Sequence, residues 1–438
     1  MNILIISAQH PYKASGIVVA DLYRIFKKNG HNTKLLVKTN GLFFDKDIIY
    51  LEKYFNFTLN RIQNRIKKIF QRKTKAISNF DYYFHDLDLT KQYFKTEDIL
   101  RKINFNPDFI LYSFPHKFLN AKNLYELNKE TGAPILLYMM DMSPITGGCH
   151  YAWDCKNYME SCGCCPGLFS LISNDQSKIN FEFKKQYIDK TNIIPIAVTE
   201  WQYRQLIQSQ LFKNKKKYKI LLPIDETIFK PDDKTKIRKF LGLPIEKKII
   251  FIGAVSFNEK RKGWKELTES FKILAANLSD KKKSSVHIAI AGRIDKNATA
   301  QLPFAYTALG ILDHNDLPKA FQAADLFVCP SIEDSGPMMI NQSVLCGTPV
   351  VSFEMGVALD IVMTGQTGYR AKLKESTDLA NGINTILNLD DQEYKKMSEN
   401  CRKMGLEFCN PKKQTEKLIE IYLINCKNKL EQRKDNLQ

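Results

Sequence analysis

Residues 330–351, PSIEDSGPMMINQSVLCGTPVV, limit what this chain can fold into more than any other stretch. An apolar run, Leu326-Phe327-Val328-Cys329, stops at Pro330 and has the length and bulk of a buried strand. A short polar loop follows, with Glu333, Asp334, Ser335 and Gly336. Pro337 stands where a helix begins, because its fixed φ and missing N–H suit the first helical position. Residues 338–345 favour a helix, Gly347 suits its end, and Thr348-Pro349-Val350-Val351 opens a further strand. A strand–loop–helix–strand unit sets backbone N–H groups and the positive end of a helix dipole at the carboxyl edge of a parallel sheet. That edge receives anions and suits a diphosphate. The same unit is plain scaffold in many α/β proteins, so the rest of the chain has to decide.

A chain of 438 residues exceeds one hydrophobic core and predicts two domains. Residues 1–8 form an Ile/Leu-rich strand, residues 17–29 an amphipathic helix and residues 32–37 a second strand. This opening is that of a doubly wound α/β fold. Residues 1–224 are expected to form one Rossmann-like domain and residues 225–410 another, with a final helix at about 411–430 packing back on the first. No apolar run approaches the length of a membrane span. Residues 1–7, MNILIIS, lack the charged start of a signal peptide, so the expected location is the cytoplasm. The net charge is +18, but the lysines are dispersed and no zinc-finger, RNP or KH pattern occurs, which argues against nucleic acid as a partner. Within residues 60–75, NRIQNRIKKIFQRKTK, Ile62, Ile66, Ile69 and Phe70 share one helical face amid seven basic residues. Two readings stay open: a peripheral contact with the anionic inner face of a membrane, or a surface helix packed on its own domain.

Residues 330–351 resemble the donor-binding signature of the family-4, retaining glycosyltransferases. That signature has a Glu, a glycine-containing turn, a second carboxylate eight positions after the first, and a helix ending in G-x-P-V-V. Here the first Glu is Glu333, the glycine is Gly336 and the second carboxylate position holds Asn341. Residues 141–166, DMSPITGGCHYAWDCKNYMESCGCCP, are similar to a block found in a subgroup of bacterial surface-polysaccharide enzymes. Met140 and Ser143 stand where that subgroup has His and Trp. The resemblance implies a GT-B architecture, two doubly wound domains facing a cleft. It implies a retaining glycosyltransferase that needs no cofactor. The donor would be a nucleotide-diphosphate sugar and the acceptor a glycan or polyprenyl-linked saccharide. Residue by residue, it implies that Glu333 faces the donor sugar and Asn341 the ribose, that Lys262 meets the diphosphate, and that the loop at Ile311 lies under the base. Gly16 retains half of a glycine pair that approaches the phosphate. Asp141 and His150 become catalytic candidates. Arg261 is added on chemical grounds, since a departing diphosphate calls for more than one cation. Backbone groups at Ser335, Gly336, Met338 and Met339 would share the same charge. Ala254, Met140 and Asn341 each replace a usual donor-site residue. A degenerate transferase-like subunit with a binding or scaffolding role is therefore the alternative.

Ten cysteines occur, and Cys149, Cys155, Cys162, Cys164 and Cys165 fall within seventeen residues. Structural disulfides are disfavoured in a cytosolic chain. Four thiolates holding a structural zinc, or free packing thiols, are the two readings left. No metal is assigned to catalysis.

Overall fold

A computed structural model describes residues 1–9, 11, 16–39, 45–52, 79–113, 116–294 and 299–435. The basic stretch at 60–75 lies outside the described residues, as does most of the loop before Gly16. The chain forms two compact units. The first comprises Met1–Val198, Gln202–Ile220 and Gln414–Gln438, and the second Thr199–Trp201 and Leu221–Lys413. The division thus falls after Ile220, four residues before the expected boundary, and the end of the chain joins the first unit.

The first unit is built on seven strands: β1 (Asn2–Ser7), β2 (Asn32–Thr39), β3 (Ile48–Glu52), β4 (Phe109–Ser113), β5 (Ile135–Tyr138), β6 (Ile193–Ala197) and β7 (Tyr218–Lys219). Their order is β3-β2-β1-β4-β5-β6-β7, with every pairing parallel. β1, β4, β5 and β6 are apolar almost throughout because parallel strands with helices on both faces bury both sets of side chains. Within this unit the long closing helix, Pro411–Asp435, sets Tyr422 against Phe109 with ring centroids 5.3 Å apart.

The second unit has six strands: β8 (Lys248–Ser256), β9 (Val286–Arg293), β10 (Ala305–Gly310), β11 (Leu326–Cys329), β12 (Val350–Phe353) and β13 (Gly368–Ala371). Their order is β10-β9-β8-β11-β12-β13, again all parallel. Phe251, Phe321 and Phe327 form its aromatic centre, with ring centroids 5.0–5.5 Å apart. One buried carboxylate pins the sheet. Asp325 accepts from Ile249 N–H at 2.6 Å, Arg238 at 2.7 Å and Lys234 at 2.9 Å. Burial alone would raise the Asp325 carboxyl, but the two cations outweigh it and hold it below the ordinary range. Two α/β units with these sheets are the GT-B type of fold expected above.

Candidate functional site

In the second unit β8 leads through β9 to β10 on one side, and β11 through β12 to β13 on the other. The order therefore reverses between β8 and β11, and open parallel sheets bind ligands at the carboxyl ends of such a strand pair. The loops that leave there, 257–263 and 330–337, are tied together. Ile332 N–H donates to Arg261 O at 2.8 Å and Glu333 N–H to the same oxygen at 3.4 Å. Gly263 permits the approach: its φ is +66°, and a Cβ there would stand 1.8 Å from Pro330 O.

This contact delivers two cations to one carboxylate. Arg261 and Lys262 donate to Asp334 Oδ2 at 2.6 and 2.7 Å, and Arg261 also reaches Glu259 at 2.7 Å. Burial would raise the Asp334 carboxyl, but Lys262 and Arg261 outweigh it and bring it down to about 2. Asp334 is thus an anion at neutral pH. The cations expected to await a diphosphate are already paired, and the sequence reading had given Asp334 no part. Lys262 spends one of its three N–H groups on Asp334, so two remain for a ligand.

Asp334 Oδ1 accepts Gly336 N–H at 3.2 Å and folds the loop onto the helix Met338–Leu345. Pro337 is the N-cap of that helix, one place earlier than expected, and no side chain caps the first turn. The N–H groups at Met338 and Met339 therefore point out of an uncapped helix start. Glu333 and Ser335 are buried, and Ser335 Oγ has no hydrogen-bond partner among the described residues. Asn341 is buried, and its amide donates to Cys409 Sγ at 3.3 Å, at the end of a neighbouring helix. Its neighbour Gln342 is equally buried, and Gln342 Oε1 has no hydrogen-bond partner among the described residues. Buried polar atoms left unpaired call for a reason, and a ligand supplies one. Ile311, just beyond β10, is exposed.

In the first unit the strand order reverses between β1 and β4. Gly16, buried, begins the helix Gly16–Lys28 that follows β1, and His116 follows β4. Asp141 and His150 meet: Asp141 Oδ2 lies 2.9 Å from His150 Nδ1. The same oxygen lies 3.7 Å from His116 Nε2, and His85 completes a trio of imidazoles with ring centroids 4.3–4.8 Å apart. Burial lowers His116 to about 3 against the pull of Asp141, so its ring is neutral at pH 7. Burial would raise Asp141, but His150 and His116 outweigh it and hold the carboxyl below its ordinary range. The turn is fastened from below. Half-buried Lys184 donates to Ser143 O at 2.5 Å and Thr146 O at 2.8 Å, and desolvation draws its ammonium down to about 8. A buried Asp–His pair beside a neutral imidazole can orient a hydroxyl and exchange a proton with it. An apolar cavity of about 80 Å³, lined by Tyr112, Phe118, Leu137 and Phe212, opens beside His116, His150 and Lys184. His85 and His116 escaped the sequence reading because the trio joins residues far apart in the chain. The available signal was His116 three residues past the end of a strand that flanks the reversal.

Residues 233–404, most of the second unit, match the family profile described as Glycosyl transferases group 1. A D-inositol 3-phosphate glycosyltransferase of Mycobacterium tuberculosis (strain ATCC 25618 / H37Rv) is 27% identical over 179 residues, 38% of this chain and 35% of that protein. The chain thus matches about a third of the length of its curated relatives. Among solved structures, a sucrose-phosphate synthase from Thermosynechococcus elongatus superposes with a TM-score of 0.64 at 14% identity, covering 98% of this chain and 99% of that one. Anabaena Alr3699/HepE, solved in complex with UDP and glucose, superposes with a TM-score of 0.61 at 16% identity, covering 96% of this chain and 99% of that one. At these identities the superpositions establish the fold.

Proposed function

We propose that this chain is a retaining glycosyltransferase that moves a sugar from a nucleotide-diphosphate sugar to a glycan or lipid-linked acceptor in bacterial surface-polysaccharide biosynthesis. The carrying observation is the Arg261–Lys262 pair, held at the strand-order reversal next to an uncapped helix start. Three further observations support the reading: the group 1 match over residues 233–404, the nucleotide-sugar complexes of a structural neighbour, and the unpaired oxygens of Ser335 and Gln342. In the reaction the bond from the sugar carbon to the diphosphate breaks and a bond to an acceptor hydroxyl forms on the same face. The hydroxyl proton passes to the departing phosphate, so no protein nucleophile and no cofactor is required. Lys262 and Arg261 stabilise the charge that develops on the diphosphate. Glu333 orients the donor sugar and Asn341 the ribose, with the unpaired Oε1 of neighbouring Gln342 as a second acceptor. Asp141 and His150 orient the acceptor hydroxyl from the first unit. The net charge of +18 and the basic stretch at 60–75 support a peripheral position on the inner face of the membrane.

One observation favours the alternative, a degenerate subunit: Asp334 and Glu259 already pair the two cations. A thermal-shift panel of UDP, GDP, ADP and CMP separates the two. A donor site gains stability as RT ln(1 + [L]/Kd), about 2.7 kcal/mol at a hundredfold excess over Kd. A rise with one diphosphate, lost in Lys262→Ala, supports the transferase. No rise with any nucleotide at millimolar concentration leaves the subunit reading standing.

A further inference from the structure

We propose that Cys149, Cys155, Cys162 and Cys165 are the ligands of one structural zinc ion that fastens the segment between β5 and the helix Gln176–Ile188. Four of the five clustered cysteines line a single small cavity of about 20 Å³. That is room for one water-sized sphere, hence for one ion and not for a multi-iron cluster. The fifth, Cys164, is exposed and turned away, with its Sγ 3.5 Å from Leu171 O. No disulfide joins any of them.

One of the four sulfurs already serves as an acceptor: Gly147 N–H donates to Cys162 Sγ at 3.2 Å, as it would to a thiolate. The backbone points the same way. Trp153, Cys162, Cys164 and Phe169 all hold left-handed φ between 45° and 56°, each costing on the order of 1–3 kcal/mol. The only regular structure here is three single 3₁₀ turns, at Ser143–Ile145, Asn157–Met159 and Pro166–Leu168. So long a segment without strands or long helices needs a fastening, and a zinc ion supplies one.

No three of the sulfurs lie within 4.8 Å of one another, a spacing that among the described residues only the imidazole trio meets. Tetrahedral zinc with Zn–S near 2.3 Å sets sulfurs roughly 3.8 Å apart, so the ion draws the four inward and closes the cavity. The imidazole trio is the competing metal site, and the experiment has to tell them apart.

The full chain, purified without a histidine tag under reducing conditions, is analysed by inductively coupled plasma mass spectrometry. About one zinc per chain is expected, lost in Cys162→Ser/Cys165→Ser and kept in His85→Gln/His116→Gln. Cobalt loading of the wild type gives a second readout that needs no variant to fold: a tetrathiolate site shows a thiolate-to-cobalt charge-transfer band in the near ultraviolet. Metal-free protein that folds normally overturns the proposal. So does zinc that follows the histidines, or cobalt-loaded protein without the thiolate band.

Discussion

Lys262→Ala tests the donor site most directly. Lys262 Nζ stands 2.7 Å from Asp334 Oδ2, with Arg261 2.6 Å from the same oxygen. Removing the ammonium leaves the buried carboxylate Arg261 and the Gly336 N–H, and folding survives at a cost of roughly 1 kcal/mol. The donor loses more. A charge-assisted hydrogen bond to a diphosphate contributes roughly 1.5–3 kcal/mol, and each 1.36 kcal/mol is tenfold in rate. The expected fall in kcat/KM is about 10- to 150-fold. Because charge grows on the diphosphate as the glycosidic bond breaks, most of the loss belongs in kcat, with donor KM changing little. Steady-state kinetics by nucleotide release measures both terms, and a thermal melt of the same sample confirms that the variant is folded. A folded variant whose kcat/KM stays within about twofold of wild type refutes the role given to Lys262.

Gln342→Ala is expected to raise donor KM by roughly tenfold, the value of one hydrogen bond to a ribose, with little change in melting temperature. Asn341→Ala is expected to raise donor KM and also to lower the melting temperature, because its amide also donates to Cys409 Sγ. The same kinetics and melts compare the pair. Gly263→Ala puts a Cβ 1.8 Å from Pro330 O at a φ of +66°, so the two donor loops must part. Melts should show a clear loss of stability, and the nucleotide-induced shift should vanish. Asp334 is held at about 2 when folded, below the usual 3.8. A depressed carboxyl stabilises above its unfolded value and loses that contribution as pH falls toward the folded one. Urea melts of wild type against Asp334→Asn should therefore differ by about 2 kcal/mol at pH 6, and the gap should narrow steadily below pH 4.

The limits of the sequence reading follow from which physical signals are local. Parallel strands buried on both faces leave contiguous apolar runs, so β1, β4 and β11 are visible before any folding is considered. The unit from β11 to β12 is equally visible, because Pro337 and Gly347 mark the two ends of its helix. Contacts across the chain leave no such trace. Asp334 meets Lys262 over 72 residues, and Asp141 joins His150 to His116 only once β4 and β5 lie side by side. Asn341 and Gln342 show the limit. Glu333 and Asn341 are eight residues apart, and so are Asp334 and Gln342. Both amides are buried, and one partner of Asn341, Cys409 Sγ, is 68 residues away, so the burial of neither could be read from the spacing. Asp334 is the sharper case: it stands beside the Glu that the motif marks, and its two cations lie 72 and 73 residues back along the chain. A carboxylate in a polar loop carries no local mark of such partners, so its pairing emerges only when the loops after β8 and β11 are brought together.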